Sequence, residues 1–281
     1  MILRLGYDIQ FDLPYPIAVV AMLSVHPSRL ADLRSPDEVR VEPHTPTETY
    51  IDSFGNRCIR FAAPSGPLRL HGSTLIYDTG LPDPVNFAAR ERAVNDLPPD
   101  VLRYLYNSRY CEVDRFTMIA PELFGAMAPG WSRVQAVCDW VHSKVSFGYQ
   151  HARATKSALD VFTERIGVCR DFQHLAVTLC RALNIPARYV TGYLGDIGVP
   201  PSPSPMDFSA WFEAYLDDRW WTFDARHNHP RIGRVVMATG RDASDVAITT
   251  SFGVANLTHF RVVTEEEVPT ALSHDASRAG Q

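Results

Sequence analysis

Gly167-Val168-Cys169-Arg170-Asp171-Phe172 runs straight into an amphipathic segment, residues 173–183, which stops at Asn184-Ile185-Pro186. The pattern predicts a helix whose first turn holds Cys169. Unpaired N–H groups and the positive end of the helix dipole favour thiolate over thiol there. That placement suits a cysteine nucleophile. A small buried hydrophobe is the other reading of a free cysteine, and spacing alone leaves both open.

Further along, residues 209–216 and 220–226 alternate as strands around Asp217-Asp218. If the two aspartates form a two-residue turn, Leu216 pairs with Arg219 and Trp211 lies opposite Asp224. Ser209, Trp211 and Glu213 then share a face with Thr222, Asp224 and Arg226. Ser209 and Asp224 become diagonal neighbours. A three-residue turn would send Asp224 to the other face. Asp224 is an acid inside an aromatic-rich strand. It either pairs with a core arginine such as Arg188 or Arg226, or serves a reaction.

The rest of the chain divides by periodicity. Leu3, Leu5, Tyr7 and Ile9 alternate, as do Tyr50, Asp52 and Phe54, and residues 57–61 and 68–77 follow with Gly/Pro/Asn turns before them. This reads as a β-sandwich-like module over residues 1–95. Residues 81–100 form a proline-bounded connector. Helical spacing then takes over at residues 101–105, 131–145 and 157–162, and strands return at 187–194, 209–216, 220–226, 247–251 and 258–263. Helices followed by antiparallel strands give an α+β core over residues 96–266. The run from Val199 to Pro205 is too rich in proline for regular structure, and residues 267–281 read as a disordered tail.

Composition excludes several classes. The chain has 281 residues, 46% hydrophobic and 21% charged, with a net charge of −5. It lacks the basic clusters of a nucleic-acid binder and any apolar run of membrane-spanning length. Its start alternates like a strand rather than a signal peptide, so a cytoplasmic location is expected. Five widely spaced cysteines argue against a disulfide framework and a structural zinc site. Cys138 falls in an apolar helical pattern, and Cys180 lies three turns beyond Cys169.

Gly167–Phe172, His174-Leu175-Ala176, Ile185-Pro186-Ala187-Arg188-Tyr189 and Gly192-Tyr193 resemble the nucleophile segment of the transglutaminase-like superfamily, in particular its bacterial members described as cysteine proteases. Ser209-Ala210-Trp211-Phe212-Glu213-Ala214-Tyr215 and Trp220-Trp221-Thr222-Phe223-Asp224 resemble that family's histidine and aspartate strands. The resemblance implies a papain-like transglutaminase core and a Cys-His-Asp constellation acting on peptide or amide groups. It implies a thioester at Cys169, Asp224 as the orienting acid, a peptide or protein substrate, and no metal or organic cofactor. It also suggests Tyr149 as an oxyanion donor, where a core tyrosine is the alternative.

One position departs from the family. Where the family reads His-Ala-Trp, this chain reads Ser209-Ala210-Trp211. A serine cannot take a proton from a thiol as imidazole does. His227 is the histidine nearest Asp224 in sequence and the natural replacement base, but in a regular strand it faces away from Asp224. His174 points more than a right angle away from Cys169 on the helix and reads as a packing residue. Trp211, Trp220 and Trp221 are expected to pack the sheet against the nucleophile helix. A catalytically silent fold that binds peptide in the old cleft is the alternative function.

Overall fold

The alternating apolar residues of the first strand set the N-terminal architecture. In a computed structural model describing residues 1–202 and 205–267, Leu3, Leu5, Tyr7, Ile9 and Leu13 all point inward from β1 (Ile2–Leu13). Residues 268–281, most of the expected tail, lie outside the described residues. β1 pairs antiparallel with β6 (Gly66–Tyr77), which pairs with β3 (Arg40–Glu42). The other edge of β1 is closed by β14 (Asn256–Glu266), so that Leu3 lies opposite Glu266. A second antiparallel sheet runs β13 (Thr249–Ser251), β2 (Ile17–Ala21), β5 (Arg57–Ala63), β4 (Glu48–Ile51). Apolar side chains of both sheets share one core, joined by Tyr193, Val235 and Met237. The last two strands therefore complete the N-terminal sheets, although they follow the α+β core in sequence.

The alternation through Tyr50, Asp52 and Phe54 does not continue as strand. Asp52 Oδ1 accepts from Phe54 N at 2.8 Å and Asn56 N at 2.9 Å. That local turn outcompetes the ladder, so β4 ends at Ile51.

The third sheet carries the site. Its order is β11 (Arg219–Phe223), β10 (Ser209–Leu216), β9 (Ala187–Tyr193), β12 (Val235–Gly240). Leu216 pairs with Arg219 as the two-residue turn requires. Asp217 and Asp218 adopt φ of 47° and 61°, the doubly left-handed turn that aspartate tolerates without glycine. Helices α1 (Ile119–Phe124), α2 (Trp131–Lys144), α3 (Ala158–Glu164) and α4 (Cys169–Ala182) cover one face. Phe212, Ala214 and Leu216 of β10 meet Leu175 and Leu179 of α4 in a common core. Each of those leucines contributes about 1.5–3 kcal/mol by full burial. Cys138 and Cys180 are buried in the same core.

One expectation changes here, that of Trp211, and the amphipathic helix α4 is set deep in the core, with every residue from Asp171 to Arg181 buried. Its polar side chains find polar partners inside: Arg181 donates to the carbonyls of Ala187, Tyr106 and Arg241. Trp211 does not face that helix. It lies on the opposite face of β10, with the Arg234 guanidinium 5.0 Å from its ring. No helix among the described residues is long and apolar enough to cross a membrane.

Candidate active site

Cys169 is the first residue of α4, and the turn before it explains why it is held there. Asp171 folds back so that its Oδ2 accepts the Val168 N–H at 3.0 Å, closing the helix start. Gly167 leaves room for that carboxylate, since a Cβ there would lie 2.7 Å from Asp171 Cβ. Below it, β7 (Ser146–Phe147) and β8 (Ile166–Gly167) pair in parallel. The buried Lys156 donates to the Ile166 carbonyl at 3.0 Å and pairs with Glu164 at 3.0 Å. The pedestal under the cysteine is thus fixed from two sides.

Unlike the four buried cysteines, Cys169 is partly exposed. It lines a cavity of about 380 Å³ together with Tyr149, Asp207, Ser209, Arg226 and His227. Burial pushes its thiol up to about 11. Arg226 and the Arg170 N–H oppose the shift, and the Asp207 and Asp224 carboxylates add to it. Burial therefore outweighs the pull of the helix start, and the thiol is the favoured form near pH 7. Attack by this sulfur needs a base.

β11 ends at Phe223, three residues earlier than the sequence pattern suggests. The chain then turns, with Asn228 N donating to the Asp224 carbonyl at 2.8 Å and Asn228 at φ 55°. This strand end re-aims His227 onto Asp224: Nδ1 lies 2.9 Å from Oδ2. The buried Asp224 carboxylate is heavily solvated by the protein. Oδ1 accepts from Gln173 Nε2, Arg226 N and His227 N, and Oδ2 accepts from His227 and from Arg234 Nη2 at 2.9 Å. Burial alone would raise this carboxyl, but Arg234 and His227 hold it well below the usual range. An ionised carboxylate only accepts, so His227 donates from Nδ1 and keeps Nε2 as its basic nitrogen.

The other sequence candidates divide. Tyr149 is an exposed cavity residue rather than a core tyrosine, 43% accessible, and burial with the nearby Asp207 raises its phenol. Ser209 is buried at the cavity wall, and its Oγ has no partner among the described residues. A second space of about 430 Å³ is also lined by Ser209 and Cys169. His174 takes no part. It is fully buried, stacked on Tyr110 at 4.9 Å, and its Nε2 accepts the Ala243 N–H.

Neither arginine considered from sequence pairs with the Asp224 side chain through its own. Arg188 is taken by its cross-strand neighbour Glu213 at 2.5 Å, and Arg226 gives only its backbone N–H. The partner is Arg234, held in turn by Asp83 at 2.8 Å. No local pattern in the sequence marks Arg234, Asp83, Gln173 or Asp207 as site residues; the one signal is an arginine abutting the apolar strand β12. No group of acidic, histidine or cysteine residues among the described residues could hold a metal ion.

Comparisons with known proteins bear on the family and the fold. Residues 117–225 match the transglutaminase-like superfamily. A candidate cysteine protease from Cytophaga hutchinsonii superimposes with a TM-score of 0.80 at 31% identity, over 94% of this chain and 90% of that one. An uncharacterised protein of Mycobacterium leprae is 27% identical over 221 residues, 75% of this chain and 77% of its own length. His227 lies two residues beyond the superfamily match.

Proposed function

Because the chain belongs to the transglutaminase-like superfamily, we propose that it is a thiol-dependent hydrolase or acyltransferase acting on peptide or amide bonds, with His227 as its base. The observation that carries this reading is the 2.9 Å His227–Asp224 pair, in a cavity that His227 shares with Cys169. In this scheme the Cys169 sulfur attacks the amide carbonyl as its proton passes to His227 Nε2. The Tyr149 hydroxyl donates to the developing oxyanion. The imidazolium returns the proton to the leaving amine, leaving a thioester on Cys169. Water or an acceptor amine then releases the acyl group, its proton taken again by His227. Asp224 keeps the imidazole in the required tautomer and stabilises its charged form.

Ser209 occupies the family's histidine position in this reading, so the base has moved from strand β10 to the turn after β11. The substrate is a peptide or protein. Five free cysteines suit a reducing, cytoplasmic setting. The second reading, a silent peptide-binding cleft, is favoured by Ser209 and by the raised thiol.

Turnover of a panel of chromogenic peptide amides and esters decides between them. The proposed enzyme turns over at least one substrate and loses that activity in Cys169→Ala. Activity that survives Cys169→Ala removes the thiol mechanism. Peptide binding without turnover by either protein establishes the silent cleft instead.

A further inference from the structure

Four ionisable side chains form a row that ends at the cavity: Asp83, Arg234, Asp224 and His227. Arg234 Nε donates to Asp83 Oδ2 at 2.8 Å and its Nη2 to Asp224 Oδ2 at 2.9 Å, the same oxygen that His227 Nδ1 reaches. Arg234 is 8% exposed, so the row is screened by protein rather than water. Asp83 belongs to the connector Leu81-Pro82-Asp83-Pro84, far from the nucleophile in sequence. It is fixed by reciprocal bonds with Arg231: Arg231 N donates to Asp83 Oδ2, and Asp83 N donates to the Arg231 carbonyl.

We propose that Asp83 is a positioning residue that acts through Arg234 to set the pH at which His227 ionises. The physical argument is electrostatic. A guanidinium sharing Oδ2 draws off part of the carboxylate's attraction for an imidazolium, which keeps His227 neutral at higher proton concentration. Asp83 offsets that guanidinium from its far side. Arg234 and His227 touch one oxygen, so their charges sit about 6 Å apart or less. At an effective dielectric of about 20, that repulsion moves an ionisation by about two pH units or more. Asp83 lies one guanidinium further off, and its attraction amounts to about half a unit to one unit.

The remaining charged and titratable groups near His227 are common to every protein compared below. On its own turn these are Arg226 and His229, whose ring centroid is 6.2 Å away. Across the cavity they are Cys169, Tyr149, Asp196, Asp207 and Arg231. From α2, Asp139 holds Asn228 and His142 holds the Arg226 carbonyl.

The catalytic consequence rests on His227 being the base, whereas the electrostatic claim does not. The test is an NMR titration of the His227 C2–H in the full chain, assigned by its loss in His227→Gln. Asp83→Asn preserves an oxygen for both Arg231 N and Arg234 Nε and removes only the charge. It lowers the His227 midpoint by about 0.5–1 unit, whereas Arg234→Gln raises it by about one unit or more. An unmoved midpoint in Asp83→Asn, or shifts of the same sign in both, overturns the proposal. If Arg234→Gln does not fold, Asp83→Asn alone decides. If the midpoint moves as stated while the pH–turnover profile stays in place, the coupling stands and the assignment of His227 as base falls.

Discussion

Replacing Asp224 by asparagine perturbs the centre of the site with almost no change in shape. The carboxylate takes three donors on Oδ1 and two on Oδ2. Asparagine offers one acceptor oxygen, so its amide must face either the Oδ1 group or the pair from His227 and Arg234. The Oδ1 group includes two backbone N–H donors, which favours turning the amide towards Arg234. A buried guanidinium then faces another donor, although Asp83 still holds it. Breaking one arm of a buried, charge-assisted pair costs about 3 kcal/mol. In a chain of this size that corresponds to a Tm lower by about 6–12 °C. Asp224 ionises below its unfolded value, so its stabilisation is complete above about pH 4 and is lost as pH falls through the folded value. The deficit of Asp224→Asn is therefore full at pH 7 and shrinks in acid. Thermal unfolding of both proteins from pH 7 to pH 3 measures it. A difference below about 0.5 kcal/mol at pH 7, or one that grows in acid, refutes the reasoning.

Gly167→Ala drives a methyl into Asp171 and opens the helix start, with a cost of about 1–2 kcal/mol and slower acylation of Cys169, both measurable by urea unfolding and mass spectrometry. Burial pushes the His174 imidazole down against the opposing pull of Asp242, so the unfolded chain binds a proton that the folded one does not as pH drops below about 6.5. Stability then falls below that pH by up to about 1.4 kcal/mol per pH unit, a slope that urea titrations should find reduced in His174→Gln. Ser209→His offers the thiol an imidazolium partner, and the pH midpoint of Cys169 alkylation should drop by about one unit or more from the value near 11.

What the sequence discloses and what it hides follow from how local each determinant is. The helix start at Cys169 is legible because Gly167, Asp171 and the stop at Pro186 act within a few residues. The hairpin strands are legible in the sequence, but their register stays open between a two- and a three-residue turn until Asp217 and Asp218 adopt left-handed φ and pair Leu216 with Arg219. His227 is misdirected by strand periodicity, since the point where β11 ends depends on Gln173 from another element gripping Asp224. Arg234 and Asp83 are hidden for the same reason. Their pairing spans 151 residues and no local pattern announces it. The pairing of β14 with β1 likewise joins the two ends of the chain. The burial that raises the Cys169 thiol belongs to the packed cavity, whereas the helix start that favours thiolate belongs to the sequence.

The most direct measurement is the rate at which a peptidyl nitrophenyl ester acylates the protein at pH 7, with the adduct located by mass spectrometry. One acyl group on Cys169 is expected, with a rate about a hundredfold or more lower in His227→Ala and an unchanged rate in Ser209→Ala. Acylation of His227→Ala at the rate of the unaltered protein would contradict His227 as the base.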